Sequence, residues 1–316
     1  MKPIIFITQK LPDEAVSGLH ESYEVRMWHD EKAPAPREEI MKQAGEAHAL
    51  WTMLSDKVDR ELLEAAPNLK IVSNLAVGYN NIDIHAAHER GVMVTNTPDV
   101  LTESTADLTF ALLLATARRI IEAEQSVRSG DWKSWSPMGM AGRNVGGATL
   151  GIVGMGRIGE AVARRAQGFG MNVLYHNRTR RSFEDVKYAK LDDLLQQSDY
   201  VVILTPLTQE TQGMIGEREL SLMKETACLI NVARGGIVDE KALYEALKAK
   251  KIWGAGLDVF ETEPVPLDHP LLSLPNLTVL PHIGSATVQT RLAMMEMNAQ
   301  AIAACLEGKS VENRVC

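Results

Sequence analysis

Three segments in the second half of the chain carry side chains of the types that catalysis uses. They are NVARGGIVDE with Arg234, LDVFETEP with Asp258 and Glu263, and LPHIGSAT with His282. Each side chain stands at or just beyond the C-terminal end of a predicted strand. In a doubly wound sheet those ends face the ligand crevice, so these side chains could meet there. Polar residues also occur at strand ends for ordinary structural reasons, and on chemistry alone both interpretations stay open.

A glycine-rich segment earlier in the chain predicts a nucleotide site. In GIVGMGRIG, Gly154, Gly156 and Gly159 have G-x-G-x-x-G spacing, after the apolar strand ATLGIV and before an amphipathic helix. The first glycine permits a tight turn, the second lets backbone amides approach a pyrophosphate, and the third lets the helix pack closely on the strand. Chance glycines are the alternative. The strand before and the helix after are the context that the motif requires, so we predict a dinucleotide cofactor.

The end of the next predicted strand, NVLYHNRTRR, bears on which dinucleotide binds. An NAD-preferring fold places an acidic residue there to hold the ribose hydroxyls. This chain has His176 and Asn177 instead, and a basic turn follows. The turn consists of Arg178, Thr179, Arg180 and Arg181. Guanidinium groups suit a 2′-phosphate, so we predict NADP(H) as the preferred cofactor, with NAD(H) as the second choice. The alternative is that the turn is only a solvated surface.

The elements that must position these residues form two alternating series. Short apolar runs alternate with helix-like segments from IIFIT to VMVTN, and again from ATLGIVGMG to LTVLPHIG. Such alternation predicts parallel sheets covered by helices on both faces. We therefore predict an α/β protein of two doubly wound parallel-sheet domains, one flavodoxin-like and one Rossmann-like, with a cleft between them. We expect one helix over residues 101–128 as a bridge, and another over the C-terminal TVQTRLAMMEMNAQAIAACLEG.

Length and composition narrow the classes of function. The 316 residues suit two domains, and 45% hydrophobic with 23% charged residues is typical of a globular protein. A formal charge of -8 disfavours nucleic acid as the main partner, because a phosphate backbone requires a basic face. The apolar stretch FALLLATA is far too short for a membrane span, and the N-terminus has no signal-peptide core, so we expect a cytoplasmic protein. Cys228, Cys305 and Cys316 share no CxxC spacing, and we expect neither disulfides nor a metal.

Four motifs of the second half together resemble those of one enzyme family. GMGRIG, NVARGGIVDE, AGLDVFETEP and LPHIGSAT, in this order, are similar to motifs of the D-isomer-specific 2-hydroxyacid dehydrogenases. Within that family, HPLLSLPNLTVLPHIGSAT, VGYNNIDI and DWKSWSP look most like glyoxylate and hydroxypyruvate reductases. The resemblance extends from about residue 69 onward, and the first sixty residues match only in plan. It implies reduction of glyoxylate or hydroxypyruvate to glycolate or D-glycerate, and the basic turn predicts NADPH as the reductant.

The resemblance also implies roles for individual residues. Arg234 is expected to bind the substrate carboxylate and carbonyl oxygen, which its planar fork of donors fits. His282 is expected to be the general acid that protonates the developing alkoxide, and Glu263 to hold the imidazole and favour its charged form. Asp258 is expected to accept a hydrogen bond from the nicotinamide amide. The remaining expected cofactor contacts are Met155, Arg157, Ile158, Asn177, Arg178, Thr179, Pro206, Val232, Ala233 and Gly284, with ordinary packing as the alternative for the apolar ones.

Substrate contacts and domain boundaries complete the expectations. The backbone at Val77 and Gly78 is expected to receive the substrate carboxylate, with Leu75 as a wall. Trp135 is expected to reach across a homodimer toward the neighbouring active site, or else to serve only as an interface anchor. Residues 1–98 with 286–316 are the predicted substrate-binding domain, residues 99–285 the predicted NADP-binding domain, and a hinge motion would exclude water from the cleft.

Two other functions stay open as alternatives. One is another member of the same family, such as phosphoglycerate dehydrogenase, which would need a phosphate-binding patch. The other is a nucleotide-sensing binding protein similar to the C-terminal-binding corepressors, which share the fold and the triad. A turnover assay set against a peptide pulldown separates the second alternative from an enzyme.

Overall fold

A computed structural model describes residues 2–316, and the chain divides into two compact units. Unit 1 comprises the residues up to Leu101 together with Ala286–Cys316, and unit 2 comprises Thr102–Ser285. The division after Leu101 falls immediately before the first helix of unit 2. None of the helices in the described part of the chain is both long and apolar enough to cross a membrane.

Unit 1 is built on a parallel sheet that has five strands over the residues described. In chain order they are β1 (Ile4–Ile7), β2 (Glu24–Met27), β3 (Ala49–Thr52), β4 (Ile71–Asn74) and β5 (Met93–Thr95). The spatial order is β2-β1-β3-β4-β5, which is the flavodoxin order. Strands β3 and β4 are buried at every position, as expected for central strands that helices cover on both faces.

The helices of unit 1 include one that returns from the end of the chain. They are α1 (Asp13–Val16), α2 (Arg37–Ala44), α3 (Arg60–Glu64), α4 (Ile84–Glu89) and the C-terminal α11 (Val288–Leu306). The aspartates Asp59 and Asp83 cap α3 and α4, because each carboxylate accepts a backbone N–H of the first turn. Helix α11 packs on β3 and β4, and the N–H of Val315 then donates to the carbonyl of Val94 at 2.7 Å, on the edge strand.

Unit 2 is built on a second parallel sheet, of seven strands among the residues described. In chain order they are β6 (Thr149–Val153), β7 (Asn172–His176), β8 (Val186–Tyr188), β9 (Tyr200–Ile203), β10 (Cys228–Asn231), β11 (Gly254–Leu257) and β12 (Leu277–Val279). The spatial order β12-β11-β10-β9-β6-β7-β8 reverses direction between β6 and β9, as in a Rossmann sheet. The predicted fold class, two doubly wound parallel sheets, is confirmed.

Helices cover both faces of the second sheet. They are α5 (Thr102–Ala117), α6 (Ile120–Arg128), α7 (Arg157–Gly168), α8 (Leu191–Gln197), α9 (Glu217–Leu222) and α10 (Glu240–Lys248). Alternate residues of β9 point to opposite faces: Tyr200 and Val202 pack in the core under α5 and α7, whereas Val201 and Ile203 pack under α8, α9 and α10. Both faces of the sheet are therefore buried in hydrophobic cores.

The prediction of one helix over residues 101–128 was wrong, because two helices occupy that span. Arg119 has a φ of 55°, in the left-handed region, where a right-handed helix cannot continue. The carbonyl of Ala117 instead accepts the N–H of Arg143 at 2.8 Å, from a segment far along the chain. The two alternating series in the sequence also failed to predict the edge strands β2 and β8.

Candidate active site

The turn after β6 has a geometry that requires glycine. Gly154 has a φ of 104°, and a Cβ there would lie 2.5 Å from the amide nitrogen of Thr205. A Cβ on Gly159 would lie 2.7 Å from the carbonyl oxygen of Gly154. The first and third glycines of the motif therefore let the strand, the turn and helix α7 pack together without side chains between them.

Gly156 has a different environment, because it faces open space. A Cβ at this position would meet no atom within 4 Å, and no side chain caps the helix here, because Gly156 is itself the N-cap of the 12-residue helix α7. The first N–H groups of a helix have no intrahelical carbonyl partner, and the helix dipole adds positive potential at this end. The turn therefore fits a phosphate, and a side chain at position 156 would occupy the space that it needs.

The side chains at the end of β7 form hydrogen bonds with backbone atoms of neighbouring segments. Asn177 accepts the N–H of Met155 through Oδ1 at 2.6 Å and donates from Nδ2 to the Met155 carbonyl at 3.1 Å. His176 Nδ1 lies 3.1 Å from the Ala189 carbonyl oxygen. The Asn177 side chain thus ties the end of β7 to the glycine turn, a local role that the motif does not predict.

The basic turn that follows is exposed, and its arginines differ in environment. The guanidinium of Arg180 lies over the ring of Tyr188, 5.3 Å from its centroid. The pKa of Glu210 is lowered, first by a hydrogen bond from Thr208 and more weakly by the charge of Arg178, which places Arg178 within electrostatic reach of that carboxylate. The turn therefore carries cationic groups beyond the end of β7, as the sequence indicated.

The three candidate catalytic residues follow three neighbouring strands of the unit 2 sheet. Arg234 follows β10, Glu263 follows β11 and His282 follows β12. The structure brings two of them into direct contact: Nδ1 of His282 lies 2.7 Å from Oε2 of Glu263. Because a carboxylate only accepts, Nδ1 carries a hydrogen, and Nε2 is the ring nitrogen left for proton transfer. The other carboxylate oxygen of Glu263 accepts the N–H of Phe260 at 2.9 Å.

Asp258 holds the loop that presents His282. Its side chain is buried, and its two carboxylate oxygens accept the N–H groups of Ile283 and Gly284, each at 2.8 Å. The N–H of His282 donates to the Asp258 carbonyl, also at 2.8 Å, and His282 itself has a φ of 53°. The geometry gives Asp258 a positioning role beside the expected one toward the nicotinamide, which stays a prediction.

The Arg234 loop is held by a buried amide and by a close backbone contact. Asn231, 2% exposed, donates from Nδ2 to the Arg234 carbonyl at 2.9 Å and accepts the N–H of Ala233 at 3.1 Å. A Cβ on Gly235 would lie 1.9 Å from the carbonyl oxygen of Phe260. The loop carrying Arg234 and the loop carrying Glu263 therefore touch backbone to backbone, and only glycine allows that approach.

Burial and charge shift the ionisation of these groups. Burial lowers the pKa of the Arg234 guanidinium, and the carboxylate of Glu263 opposes that shift. Burial alone would raise the pKa of Glu263, but the hydrogen bond and charge of His282, the N–H of Phe260 and the charge of Arg234 outweigh it. The net shift of the Glu263 pKa is downward, so this carboxylate is ionised at neutral pH.

A second carboxylate, that of Glu240, binds the backbone of the loop that carries Glu263. Glu240, at the start of α10, accepts the N–H of Glu261 at 2.7 Å, and its other oxygen lies 3.1 Å from Nε2 of His269. Burial raises the pKa of Glu240, against the effect of these partners. Sequence reasoning missed Asn231 and Glu240. Both residues lie within the segment NVARGGIVDE, and only Asn231 had a signal, its position at the end of an apolar strand.

The remaining predicted residues are spread over both units. In unit 1, Leu75 is buried, the Val77 carbonyl accepts from Asn96 at 2.8 Å, and the Gly78 carbonyl accepts from Asn74 at 3.0 Å. In unit 2, Val232 and Gly284 are buried, Met155 is 1% exposed, Ile158 is half-buried and Pro206 is exposed. Arg157 and Thr179 are exposed as well, and Trp135 is 78% exposed on the segment between α6 and β6.

Comparison with known proteins gives the family. The sequence model described as D-isomer specific 2-hydroxyacid dehydrogenase, NAD binding domain, matches residues 110–284, more than half of the chain. This chain belongs to the D-isomer specific 2-hydroxyacid dehydrogenases. It is therefore an NAD(P)-dependent oxidoreductase, and the resemblance inferred from its motifs is confirmed.

Relatives and solved structures agree with this family. A glyoxylate reductase of Korarchaeum cryptofilum is 52% identical to this dehydrogenase over 100% of this chain and 96% of its own. One of Thermococcus gammatolerans is 51% identical over 98% and 94%. An NADPH-dependent glyoxylate/hydroxypyruvate reductase of Sinorhizobium meliloti, solved with NADP and malonate, superposes with a TM-score of 0.87 at 36% identity, over 100% of this chain and 97% of that chain.

Proposed function

We propose that this dehydrogenase reduces glyoxylate or hydroxypyruvate to glycolate or D-glycerate, with NADPH as the preferred cofactor. The observation that carries the proposal is the 2.7 Å contact between Nδ1 of His282 and Oε2 of Glu263. The loop that carries Glu263 also contacts the loop that carries Arg234. Relatives about half identical to this chain are named glyoxylate reductases, which supports the choice of substrate.

The proposed chemistry divides between Arg234 and His282. The guanidinium of Arg234 binds the substrate carboxylate and the carbonyl oxygen, and its partial burial strengthens that electrostatic contact. When bound, the reduced nicotinamide supplies the hydride that the carbonyl carbon receives. Glu263 stabilises the imidazolium form of His282, whose Nε2 proton passes to the carbonyl oxygen. The neutral imidazole that remains then takes up a proton from solvent. The backbone at Val77 and Gly78, with Leu75 beside it, is proposed to contribute to substrate binding.

Two features of unit 2 support the proposed cofactor: the first bears on dinucleotide binding and the second on the preference for NADP(H). The open turn at Gly156 suits a pyrophosphate, and the end of β7 has an amide where NAD-preferring folds have an acid. The Asn177 side chain is a neutral amide, so it brings no negative charge to this position, and it is bound to the backbone of Met155. Arg178 and Thr179 are the groups proposed to receive a 2′-phosphate.

The test of the function is a panel of reactions followed by cofactor oxidation. NADPH and NADH are each measured with glyoxylate, hydroxypyruvate and pyruvate. We expect kcat/KM with NADPH to exceed that with NADH by about tenfold or more, which corresponds to about 1.4 kcal/mol. We expect glyoxylate or hydroxypyruvate to be the best acid. A tenfold preference for NADH would contradict the cofactor assignment, and the absence of turnover with every acid would contradict the function.

Arg178→Ala is expected to weaken NADPH selectively. Loss of one charge-assisted hydrogen bond to a phosphate should lower kcat/KM for NADPH by about tenfold or more and leave that for NADH nearly unchanged. The matched control is Arg128→Ala, which removes another exposed arginine of unit 2. Equal losses of kcat/KM with both cofactors would show that Arg178 does not bind the 2′-phosphate.

The exposed tryptophan segment supports a proposed homodimer. Trp132, Trp135 and Met138 are 63%, 78% and 78% exposed on one short segment of unit 2. Large apolar side chains exposed together are typical of protein interfaces. Whether Trp135 also reaches a neighbouring substrate stays a prediction.

A further inference from the structure

A pocket of about 500 Å³ lies within unit 1, at the edge of the sheet where the strands begin. Pro3, His48, Lys70 and Val92 line it, and each directly precedes one of the strands β1, β3, β4 and β5. The proposed substrate residues 75–78 follow the opposite, C-terminal end of β4. Four strand residues at about 3.3 Å each separate the two edges by roughly 13 Å. The pocket is therefore a place distinct from the residues of unit 1 proposed to bind substrate.

The charged side chains of this pocket are all basic. Lys70 and Arg314 line it together with His48 and His88, and the described lining residues include no carboxylate. Over residues 2–316, neither Lys70 nor Arg314 forms an ion pair with a carboxylate. The nearby Glu307 is bound by Lys309 and by the hydroxyl of Tyr23 at 3.3 Å. In a chain with a net charge of -8, this is a local concentration of positive charge.

Hydrogen bonds of the sheet hold the basic residues in place. The N–H of Lys70 donates to the His48 carbonyl at 2.8 Å, and the Lys70 carbonyl accepts the N–H of Met93 at 2.9 Å. Arg314 pairs with Thr95 in an antiparallel bridge. These contacts fix the backbone of the pocket before any ligand arrives, whereas the side chains of Lys70 and Arg314 are exposed and lose rotamer freedom on binding.

His48 is held in the tautomer that donates a hydrogen bond outward. Its Nδ1 accepts the N–H of Ile4 at 3.2 Å. Because Nδ1 uses its lone pair for this bond, the proton of the ring is on Nε2, which is a donor. The imidazole therefore favours an acceptor in the pocket, such as an oxyanion.

The rest of the wall is apolar or neutral. Val92, Met93 and Leu306 contribute hydrocarbon surface. Cys305 also lines the pocket, and burial raises the pKa of its thiol against the effects of Arg314 and Lys70, so it is uncharged at neutral pH. A ligand that matches this wall has a compact apolar part as well as an anionic one.

We propose that this pocket binds a small organic oxyanion, a carboxylate or phosphate ester whose charge lies between Lys70 and Arg314 and whose apolar part packs on Leu306 and Met93. It is a second ligand site, independent of the dehydrogenase reaction. The shared chemistry is the oxyanion with a hydrocarbon body, and the choice between carboxylate and phosphate is left to separate probes.

Calorimetric titration of the full-length protein tests the site with phenyl phosphate, benzoate and inorganic phosphate. We expect phenyl phosphate or benzoate to bind with a Kd below about 1 mM, and inorganic phosphate to bind at least about tenfold more weakly because it has no apolar part. The better of the two organic probes identifies the anionic group. The proposal is overturned if neither organic probe binds, or if inorganic phosphate binds as tightly as either.

Variants assign the binding to this pocket. The double substitution Lys70→Met with Arg314→Leu should weaken the organic probe by at least about tenfold, because two charge-assisted contacts are lost. The control pair Lys10→Met with Arg128→Leu removes the same charge at exposed positions elsewhere and should leave the Kd unchanged. Equal affinities in the two pairs would overturn the proposal. Lys70→Met alone, at an exposed side chain, replaces the double variant should that one fail to fold.

Alkylation of Cys305 gives a second readout that does not depend on activity. Bound phenyl phosphate or benzoate should slow the reaction of Cys305 with a maleimide by severalfold. Peptide mapping measures the extent of reaction at each cysteine. Cys316 is half-buried but does not line the pocket, so its rate is the internal reference. Protection of Cys305 alone supports the proposal, whereas equal protection of both thiols, or of neither, contradicts it.

Discussion

His282→Asn should lower kcat for the reduction of glyoxylate or hydroxypyruvate by about 10²- to 10⁴-fold, the usual contribution of a general acid. Asparagine cannot deliver a proton at neutral pH, so the forming alkoxide must take one from water. The substitution is otherwise mild. His282 has a φ of 53°, and asparagine tolerates the left-handed region better than most residues, so the loop held by Asp258 should keep its shape.

Binding and folding measurements separate a lost acid from a damaged site. The Kd for NADPH and the thermal midpoint of the variant should both stay near the wild-type values, while kcat falls. His20→Asn is the matched control, because it makes the same change at an exposed position of unit 1. A variant that folds, binds NADPH and retains most of its turnover would remove His282 from the role of acid.

Gly235→Ala should disrupt the contact between the two loops that carry Arg234 and Glu263. The new Cβ would lie 1.9 Å from the oxygen and 2.0 Å from the carbon of the Phe260 carbonyl, and 2.4 Å from the amide nitrogen of Glu261. All three are backbone atoms, so no side-chain rotation relieves the overlap and the loops must separate. We expect a loss of about 1–3 kcal/mol or more in the free energy of unfolding.

The same variant should lose activity by about 10²-fold or more, because a displacement of about 1 Å between reacting groups has that effect. Urea unfolding measures the stability, and steady-state kinetics measure kcat and KM. Gly168→Ala is the control: a Cβ there meets no atom within 4 Å, so it should be neutral or slightly stabilising. Wild-type stability and kcat in Gly235→Ala would show that the backbone contact does not set the geometry of the site.

These two variants probe different parts of one arrangement. The proposed proton donor, His282, is a side chain, but its position relative to Arg234 depends on main-chain contacts. Asn231 holds the arginine loop, Asp258 holds the histidine loop and Glu240 holds the segment between. None of these three is proposed to deliver a proton to the substrate. Their buried or half-buried polar groups fix the loops because an unpaired buried N–H or carbonyl would cost free energy.

The cofactor motif and the fold class could be read from the sequence because both are local. The glycines at 154, 156 and 159 indicate which turn positions must lack a side chain. The alternating apolar runs indicate which segments are buried strands. The candidate residues Arg234, Glu263 and His282 could be named for the same reason, since each stands at or just beyond the end of a predicted strand. Their roles in the reaction rest on the family and on the proposal above.

Only the tertiary structure decided which loops touch. The helix break at Arg119 occurs where the N–H of Arg143 binds the carbonyl of Ala117. Gly235 contacts Phe260 between the loops that follow the neighbouring strands β10 and β11. The basic pocket of unit 1 combines Lys70 with Arg314, which are far apart in the chain. Periodicity and spacing describe a residue's near neighbours, whereas these contacts depend on how strands align side by side, and that alignment exists only once the sheet has formed.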